Sequence, residues 1–200
     1  LEYTVGLHGV IHPDFEHTNY LLGWGWNITN AGGNKFCWIT WPRQMVAARE
    51  RGLKIVHIDP RLRSAGPFAD TWLSIRPGTD LAMALALSNV LIDAGYVDVD
   101  YLTKFTNAPY LVDEDGMFLR VDEVPQVWDE TEDAPVPASE ASVPALEGTF
   151  EVDGQSYTTG FTIWKEHVAD YTPEWAAEIC DIPAERIRTI GREFGAAASI

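Results

Sequence analysis

Short apolar runs and amphipathic segments alternate along the first half of this 200-residue chain. Residues 19–24 and 53–58 are rich in branched and aromatic side chains and end in turn-forming residues, a pattern typical of buried parallel strands. Between these runs, residues 41–52 have Pro42 in a first helical turn and Gly52 where a helix ends. The pattern therefore predicts a strand, a helix and a second strand.

The alternation continues through a third strand and a long apolar segment. Residues 71–75 predict the strand, a turn at residues 76–80 follows, and residues 81–92 predict a buried helix that is too short to span a bilayer. Strands that alternate with helices predict an α/β fold with a Rossmann-like open, mostly parallel sheet and helices on both faces. Ligands of such sheets bind beyond the carboxyl ends of the strands.

Polar and acidic positions dominate the next part of the chain. Residues 110–121 are typical of a hairpin with its turn at residues 115–116, and a second hairpin is predicted around residues 153–154. Between the two hairpins, residues 123–148 are rich in proline, serine and acidic side chains and predict a long loop. We interpret this part of the chain as an acidic hairpin and loop excursion.

Two further helices are predicted near the carboxyl end, at residues 173–180 and 184–194, each with a proline close to its start. We therefore predict that residues 1–108 and 155–200 form a cofactor-binding α/β domain. Residues 109–154 are predicted to be an acidic hairpin and long-loop insertion in that domain.

The charge of the chain is strongly acidic and unevenly distributed. The formal net charge is -16, and 13 of the 30 acidic side chains lie in residues 111–154, where Arg120 is the one basic residue. Because nucleic-acid binding needs a basic surface, we expect no nucleic-acid partner. Cys37 and Cys180 lack the paired spacing of a zinc or iron–sulfur site, so a four-cysteine cluster would have to lie outside this sequence.

Polar residues follow the first two predicted strands. Gly25 allows backbone N–H groups to approach an anion, although Ile28 interrupts the G-x-G-x-x-G fingerprint of nicotinamide dinucleotide sites. Asp59 stands where nucleotide-binding sheets accept hydrogen bonds from ribose hydroxyls, and Arg61 suits a diphosphate. Taken singly, each of these features also fits a simple surface turn.

The third strand is followed by a carboxylate that suits a purine base. In the turn at residues 76–80, Gly78 leaves room for a ligand, and the Asp80 carboxylate can accept the N1–H and amino group of guanine. The alternative is that Thr79 or Asp80 caps the helix that follows. Three such features at successive strand ends favour a nucleotide-bearing ligand.

Several segments resemble one known family. Residues 52–61 (GLKIVHIDPR) and 69–86 (ADTWLSIRPGTDLAMALA) closely resemble the molybdopterin oxidoreductases of the dimethyl sulfoxide reductase family. Residues 24–27 (WGWN) are similar to the W-G-x-N that ends a strand in that family. Residues 171–188 (YTPEWAAEICDIPAERIR) resemble its recurring Y-T-P-E segment, with Asp181 where glycine is common.

The resemblance implies that the chain is part of the catalytic subunit of a molybdenum or tungsten oxidoreductase. It also implies that the strand ends bind one guanosine diphosphate arm of bis(molybdopterin guanine dinucleotide), through the diphosphate, the ribose and the guanine. The residues that it assigns to cofactor binding are Gly25, Trp26, Asn27, Asp59, Arg61, Gly78 and Asp80. For Trp26, packing in the core is an alternative role.

The resemblance further implies that the metal ligand and an iron–sulfur cluster belong to sequence outside this chain. We therefore expect no metal ligand within it. His8, His12 and His17 are close together in sequence, but we interpret them as loop residues or as residues that face the pterin.

The expected partners are the remainder of the same catalytic subunit, an iron–sulfur electron-transfer subunit and a small-molecule substrate. No membrane span is predicted, and a prokaryotic periplasmic or cytoplasmic location fits the resemblance. Two alternatives remain open: an NAD-type nucleotide-binding dehydrogenase domain, which Ile28 disfavours, and a non-catalytic interaction domain that works through its acidic loop.

Overall fold

The computed structural model describes residues 13–26, 37–62 and 66–198, and gives residues 37–40 and 67 as backbone only. The described helices are α1 (Cys37–Glu50), α2 (Asp80–Asp93), α3 (Val99–Phe105), α4 (Gly160–Ala169), α5 (Pro173–Cys180) and α6 (Ala184–Ala198). The described strands are β1 (Tyr20–Trp24), β2 (Lys54–Ile58), β3 (Thr71–Leu73), β4 (Leu111–Val112), β5 (Arg120–Val121), β6 (Val124–Asp129), β7 (Ala134–Pro137), β8 (Thr149–Val152) and β9 (Gln155–Thr159). None of the described helices combines the length and the apolarity that crossing a membrane requires.

A parallel sheet organises the first of two compact units, which comprises the described parts of residues 1–87 and 173–200. Its strands lie in the order β1, β2, β3, and all of them run in the same direction. Trp24 pairs with Ile58, and Ile58 pairs with Leu73. The carboxyl ends of the three strands therefore lie at one edge of the sheet.

Helices pack on both faces of this sheet, because successive side chains of a strand point to opposite faces. On one face, Ile55 packs in a buried cluster with Met45 of α1. On the other face, Ile58 belongs to a cluster that includes Met83 of α2 and Ile187 of α6. Each such side chain, once fully buried, stabilises the fold by about 1.5–3 kcal/mol. The predicted strand–helix–strand unit is confirmed.

The helix between β1 and β2 begins earlier than the sequence pattern predicts. It begins at Cys37, so that Pro42 lies within the helix rather than in its first turn. Trp41 and Met45 are buried, and the apolar surface of the helix packs on the sheet. Packing of this surface outweighs the backbone hydrogen bond that an internal proline removes.

The second unit, residues 88–172, is built on two small antiparallel sheets. One sheet has the order β4, β9, β8, and the other has the order β5, β6, β7. The rings of Trp128 and Phe150, from β6 and β8, are stacked with centroids 4.5 Å apart and planes 10° apart, and they join the two sheets. Hairpin connections, rather than crossover helices, generate this antiparallel pairing.

These sheets correct part of the predicted fold class. The mixed α/β character is confirmed, but a mostly parallel Rossmann-like sheet is not confirmed for the chain as a whole, since two of its three described sheets are antiparallel. The predicted long loop at residues 123–148 contains β6 and β7. Pro135 and Pro137 suggested a loop, yet they lie on β7, which is an edge strand that tolerates proline. The assignment of residues 109–154 as an insertion stays a prediction.

Asp129 stabilises this acidic segment through its buried carboxylate. One carboxylate oxygen accepts the backbone N–H groups of Thr131 and Glu132, and the other accepts those of Ser142 and Val143. Burial opposes ionisation of this carboxyl group, but the four N–H donors outweigh that effect and hold the pKa of Asp129 below its ordinary value. The carboxylate therefore fixes two turns at once.

We expect Asp129→Asn to lower the melting temperature of the second unit, because an amide offers one acceptor oxygen in place of two. In the parent chain, a depressed carboxyl pKa stabilises the fold above the unfolded-state pKa of about 3.9, and the stabilisation is lost as pH falls through the folded-state value. Thermal unfolding of parent and variant, followed by circular dichroism from about pH 7 to about pH 3, measures both effects.

Glu130→Gln is the matched control for this experiment, because Glu130 is the next acidic residue and its side chain is exposed. It should leave both the melting temperature and the pH profile close to those of the parent. Equal profiles for Asp129→Asn and the parent would contradict the assigned role of the carboxylate.

Candidate functional site

The candidate site lies at the edge of the parallel sheet where β1, β2 and β3 end. Gly25 directly follows β1, Asp59 directly follows β2, and the turn at residues 76–80 connects β3 to α2. Parallel pairing brings these three chain segments together, as the sequence predicted for the carboxyl ends of neighbouring strands.

Gly25 and Gly78 occupy backbone conformations that other residues adopt only with strain. Gly25 has a φ of 57° and Gly78 a φ of 82°, and a Cβ atom at either position would have no other atom within 4 Å. Glycine is thus required by the turn of the chain rather than by crowding. The Gly25 N–H donates to the Ile58 carbonyl at 2.8 Å, so this turn is tied to β2.

The Asp80 carboxylate is held by a tryptophan. The indole N–H of Trp24, the last residue of β1, donates to Asp80 Oδ1 at 2.7 Å. Asp80 is the first residue of α2, and its side chain is exposed at the sheet edge. The sequence singled out Asp80 as a guanine ligand or a helix cap, but it did not predict this contact between β1 and α2.

Asp59 and Arg61 form a second polar group at the same edge. Asp59 Oδ1 accepts the backbone N–H of Arg61 at 2.7 Å, and the indole N–H of Trp72 donates to the Asp59 carbonyl at 2.7 Å. The Arg61 side chain is exposed and makes no ion pair with any residue in the described part of the chain. Its positive charge is therefore available to an anionic ligand.

The turn between β3 and α2 is fixed by the end of α5. The Arg76 guanidinium donates to both carboxylate oxygens of Asp181, at 2.9 and 2.6 Å, and the Arg76 N–H donates to the Cys180 carbonyl at 3.0 Å. Cys180 Sγ also lies 3.4 Å from the Thr79 carbonyl. Asp181 has a φ of 60°, the conformation that favours glycine. The one sequence signal for this contact was an aspartate where the resemblance leads one to expect glycine.

Two of the predicted cofactor residues do not add to this geometry. Trp26 packs edge to face on Trp41, with ring centroids 5.1 Å apart, which is the core-packing role foreseen as its alternative. Asn27 lies outside the described residues, as do His8 and His12. His17, the third histidine of that group, contacts the Asp14 carboxylate at 2.8 Å through Nδ1. A cofactor role for Trp26 and Asn27 stays a prediction.

His57 is a buried polar residue that the sequence did not single out. It lies near the carboxyl end of β2, its side chain is 2% exposed, and neither ring nitrogen has a hydrogen-bond partner within the described ranges. Its Nδ1 lies 3.9 Å from the position that a Cβ atom on Gly23 would occupy. The only sequence signal was a histidine inside an otherwise apolar strand.

A separate cavity of about 560 Å³ lies within the second unit. Its lining is mainly apolar and aromatic, with contributions from Tyr101, Phe118 and Trp164. None of the predicted cofactor residues lines it. The polar groups suited to a nucleotide are thus those at the edge of the parallel sheet.

Residues 4–171 match the family model described as molybdopterin oxidoreductase. One of the subunits of sulfite dehydrogenase from Allochromatium vinosum is 34% identical over 168 residues, which cover 75% of this chain and 17% of that relative. Dopamine dehydroxylase of Eggerthella lenta is 50% identical over 60 residues, or 30% of this chain and 6% of that protein. The chain thus spans a small part of the relatives that it matches.

A solved structure is similar in fold. Acetylene hydratase from Pelobacter acetylenicus matches with a TM-score of 0.55 and 24% identity over 89% of this chain and 17% of that one. At this identity, the likeness supports the fold alone. The family match, in contrast, confirms the resemblance that the sequence motifs indicated.

We expect the two substitutions Asp181→Gly and Asp181→Ala to differ in stability, although both remove the pair with Arg76. An exposed pair contributes only about 0–1 kcal/mol. Alanine also retains a positive φ that costs about 1–2 kcal/mol, whereas glycine adopts it freely. The free energy of unfolding, measured with urea, should therefore be lowest for the alanine variant. Equal values for the two variants would contradict the positive φ at this position.

Proposed function

The chain belongs to the molybdopterin oxidoreductase family, and on that premise we propose that its sheet edge binds one guanosine diphosphate arm of bis(molybdopterin guanine dinucleotide). The chain would do so as part of the catalytic subunit of a molybdenum or tungsten oxidoreductase. The observation that carries this proposal is the Asp80 carboxylate, held by the Trp24 indole N–H at 2.7 Å next to the ends of two further strands.

The residues at this edge fit the chemical groups of a guanosine diphosphate. A carboxylate such as Asp80 accepts the N1–H and the 2-amino group of guanine, which no other common base offers together. Asp59 follows the second strand, the position from which an acidic side chain binds ribose hydroxyls. The exposed Arg61 guanidinium supplies positive charge for a diphosphate.

The two glycines complete this fit. With no Cβ at Gly25 or Gly78, a ligand can approach the backbone N–H groups of both turns. We further propose that Asn27 and Trp26, which follow Gly25 in the W-G-x-N motif, contact the same cofactor arm. All of these residues bind and orient, and none of them is assigned a proton transfer.

The bound cofactor would supply two-electron redox chemistry at its metal, while this chain would supply binding and electrostatics. The ligand to the metal, an iron–sulfur cluster and an iron–sulfur partner subunit are proposed to belong to the rest of the enzyme. Sulfite and dopamine appear in the names of two relatives, which differ widely in substrate. We therefore propose an oxidoreductase whose small-molecule substrate is set by other parts of the subunit.

The family match does not favour either alternative function. An NAD-type dehydrogenase domain would need the glycine fingerprint that Ile28 interrupts. A non-catalytic interaction domain would work through the acidic segment, but the buried Asp129 carboxylate there is already used to bind the backbone of its own turns.

We expect Asp80→Asn, introduced into the catalytic subunit that contains this chain, to reduce the bound guanine nucleotide by roughly tenfold or more. The asparagine oxygen can still accept the Trp24 N–H, but its amide group presents a donor to guanine in place of an acceptor. The measurement is the amount of GMP released by acid hydrolysis per subunit, together with the metal and pterin content.

Asp93→Asn is the matched control, since Asp93 is the exposed last residue of the same helix, α2. It should retain the guanine nucleotide of the parent. Parental GMP, metal and pterin contents in Asp80→Asn would overturn the assignment of Asp80 to guanine.

A further inference from the structure

We propose that Trp24 is a positioning residue for guanine selectivity, which it sets by orienting the Asp80 carboxylate. The inference rests on the proposed function of Asp80 and extends it to a residue on a different element. Its basis is the hydrogen bond from Trp24 Nε1 to Asp80 Oδ1, with a donor–acceptor distance of 2.7 Å.

The donor of this hydrogen bond is fixed in position. Trp24 pairs with Ile58 in the parallel sheet, and its ring packs against the buried cluster that contains Ile58 and Met83. A ring held in this way has lost its rotational freedom through packing. The indole N–H therefore points from a rigid strand toward the start of α2.

The acceptor, in contrast, is exposed and would otherwise be free to rotate. The Asp80 side chain lies on the surface, where an aspartate commonly exchanges between staggered rotamers. A charged hydrogen bond of 2.7 Å is among the stronger types and holds one of these rotamers. Trp24 thus orders Asp80 before any ligand binds, which lowers the entropy cost of binding.

Orientation of a carboxylate matters most where a ligand must meet both of its oxygens. Each carboxylate oxygen has two acceptor sites, so Asp80 keeps acceptor capacity after it has bound the Trp24 N–H. Guanine presents two parallel donors, N1–H and the 2-amino group, whereas hypoxanthine presents only N1–H. A misaligned carboxylate can still meet one donor but not both. Loss of the Trp24 N–H should therefore affect GDP binding more than IDP binding.

This expectation separates positioning from a merely structural role. A packing defect at the end of β1 would weaken GDP and IDP alike, and their affinity ratio would stay constant. A loss of carboxylate orientation changes the ratio itself. The ratio of the two dissociation constants is therefore the quantity to measure.

The experiment is an isothermal titration of the chain with GDP and with IDP, for the parent and for Trp24→Phe. Phenylalanine retains an aromatic ring for packing but removes the N–H donor. We expect the parent to bind GDP roughly tenfold more tightly than IDP. In Trp24→Phe, this preference should fall to about twofold or less, mainly through weaker GDP binding.

Two controls use other tryptophans. Trp72→Phe removes the indole N–H that binds the Asp59 carbonyl at the same sheet edge, and should leave the GDP/IDP ratio near that of the parent. Trp164→Phe changes a residue of the second unit and should leave both affinities unchanged. If Trp24→Phe does not fold, as judged by circular dichroism, Asp80→Glu replaces it. That variant keeps the negative charge but shifts the carboxylate away from the indole, and it too should lose the preference for GDP.

The outcomes also separate this inference from the proposed function. If Trp24→Phe or, in its place, Asp80→Glu keeps the parental GDP/IDP ratio while Asp80→Asn abolishes it, the role of Trp24 is overturned and that of Asp80 stands. If Asp80→Asn keeps the parental ratio, or if the parent does not prefer GDP over IDP, the guanine assignment fails together with the inference.

Discussion

Parallel pairing of β1, β2 and β3 is the constraint on which the candidate site depends. Since the three strands run in one direction, the residues that follow them meet at a single edge, although Gly25, Asp59 and Asp80 are far apart in sequence. The pairing is maintained by buried side chains on both faces, with Met45 in the cluster on one face and Met83 in that on the other. Burial of these clusters therefore stabilises both the fold and the arrangement of the site.

Side chains from other elements refine what the sheet brings together. Trp24 binds the Asp80 carboxylate, Trp72 binds the Asp59 carbonyl, and Arg76 joins the turn before α2 to Asp181 at the end of α5. These contacts leave open the two glycine turns, where the backbone takes positive φ angles. A site that is ordered before its ligand arrives loses less entropy on binding. Family membership and this preorganised edge together support a role in binding a nucleotide-containing cofactor.

The second unit follows a different principle, since its strands pair through local hairpins. Its acidic composition suggested an extended loop, but the buried Asp129 carboxylate binds four backbone N–H groups and so fixes the turns on either side of β7. The stacked rings of Trp128 and Phe150 then join the two sheets. A high density of acidic residues is thus compatible with ordered structure where one carboxylate is buried with its partners.

The sequence by itself determined the elements of the first unit and the residue types at its strand ends. Apolar periodicity and turn residues are local signals, and they predicted β1, β2, β3 and α2 as well as Gly25, Asp59 and Asp80 as candidate ligands. The motifs also indicated the family, which the matched model confirms. Pro42 was less informative, because packing of α1 on the sheet outweighed the local preference of proline for a helix start.

Only the tertiary structure decided which side chains meet. The bond between Trp24 and Asp80 spans 56 positions, and the pair between Arg76 and Asp181 spans 105. No local pattern encodes such contacts, because they depend on strand order, on helix placement and on the rotamers that packing selects. Pairing of β6 with β7 was hidden for a related reason, since prolines suit an edge strand as well as a loop. Composition and spacing thus determined the chemistry at the strand ends, while packing between distant segments determined its geometry.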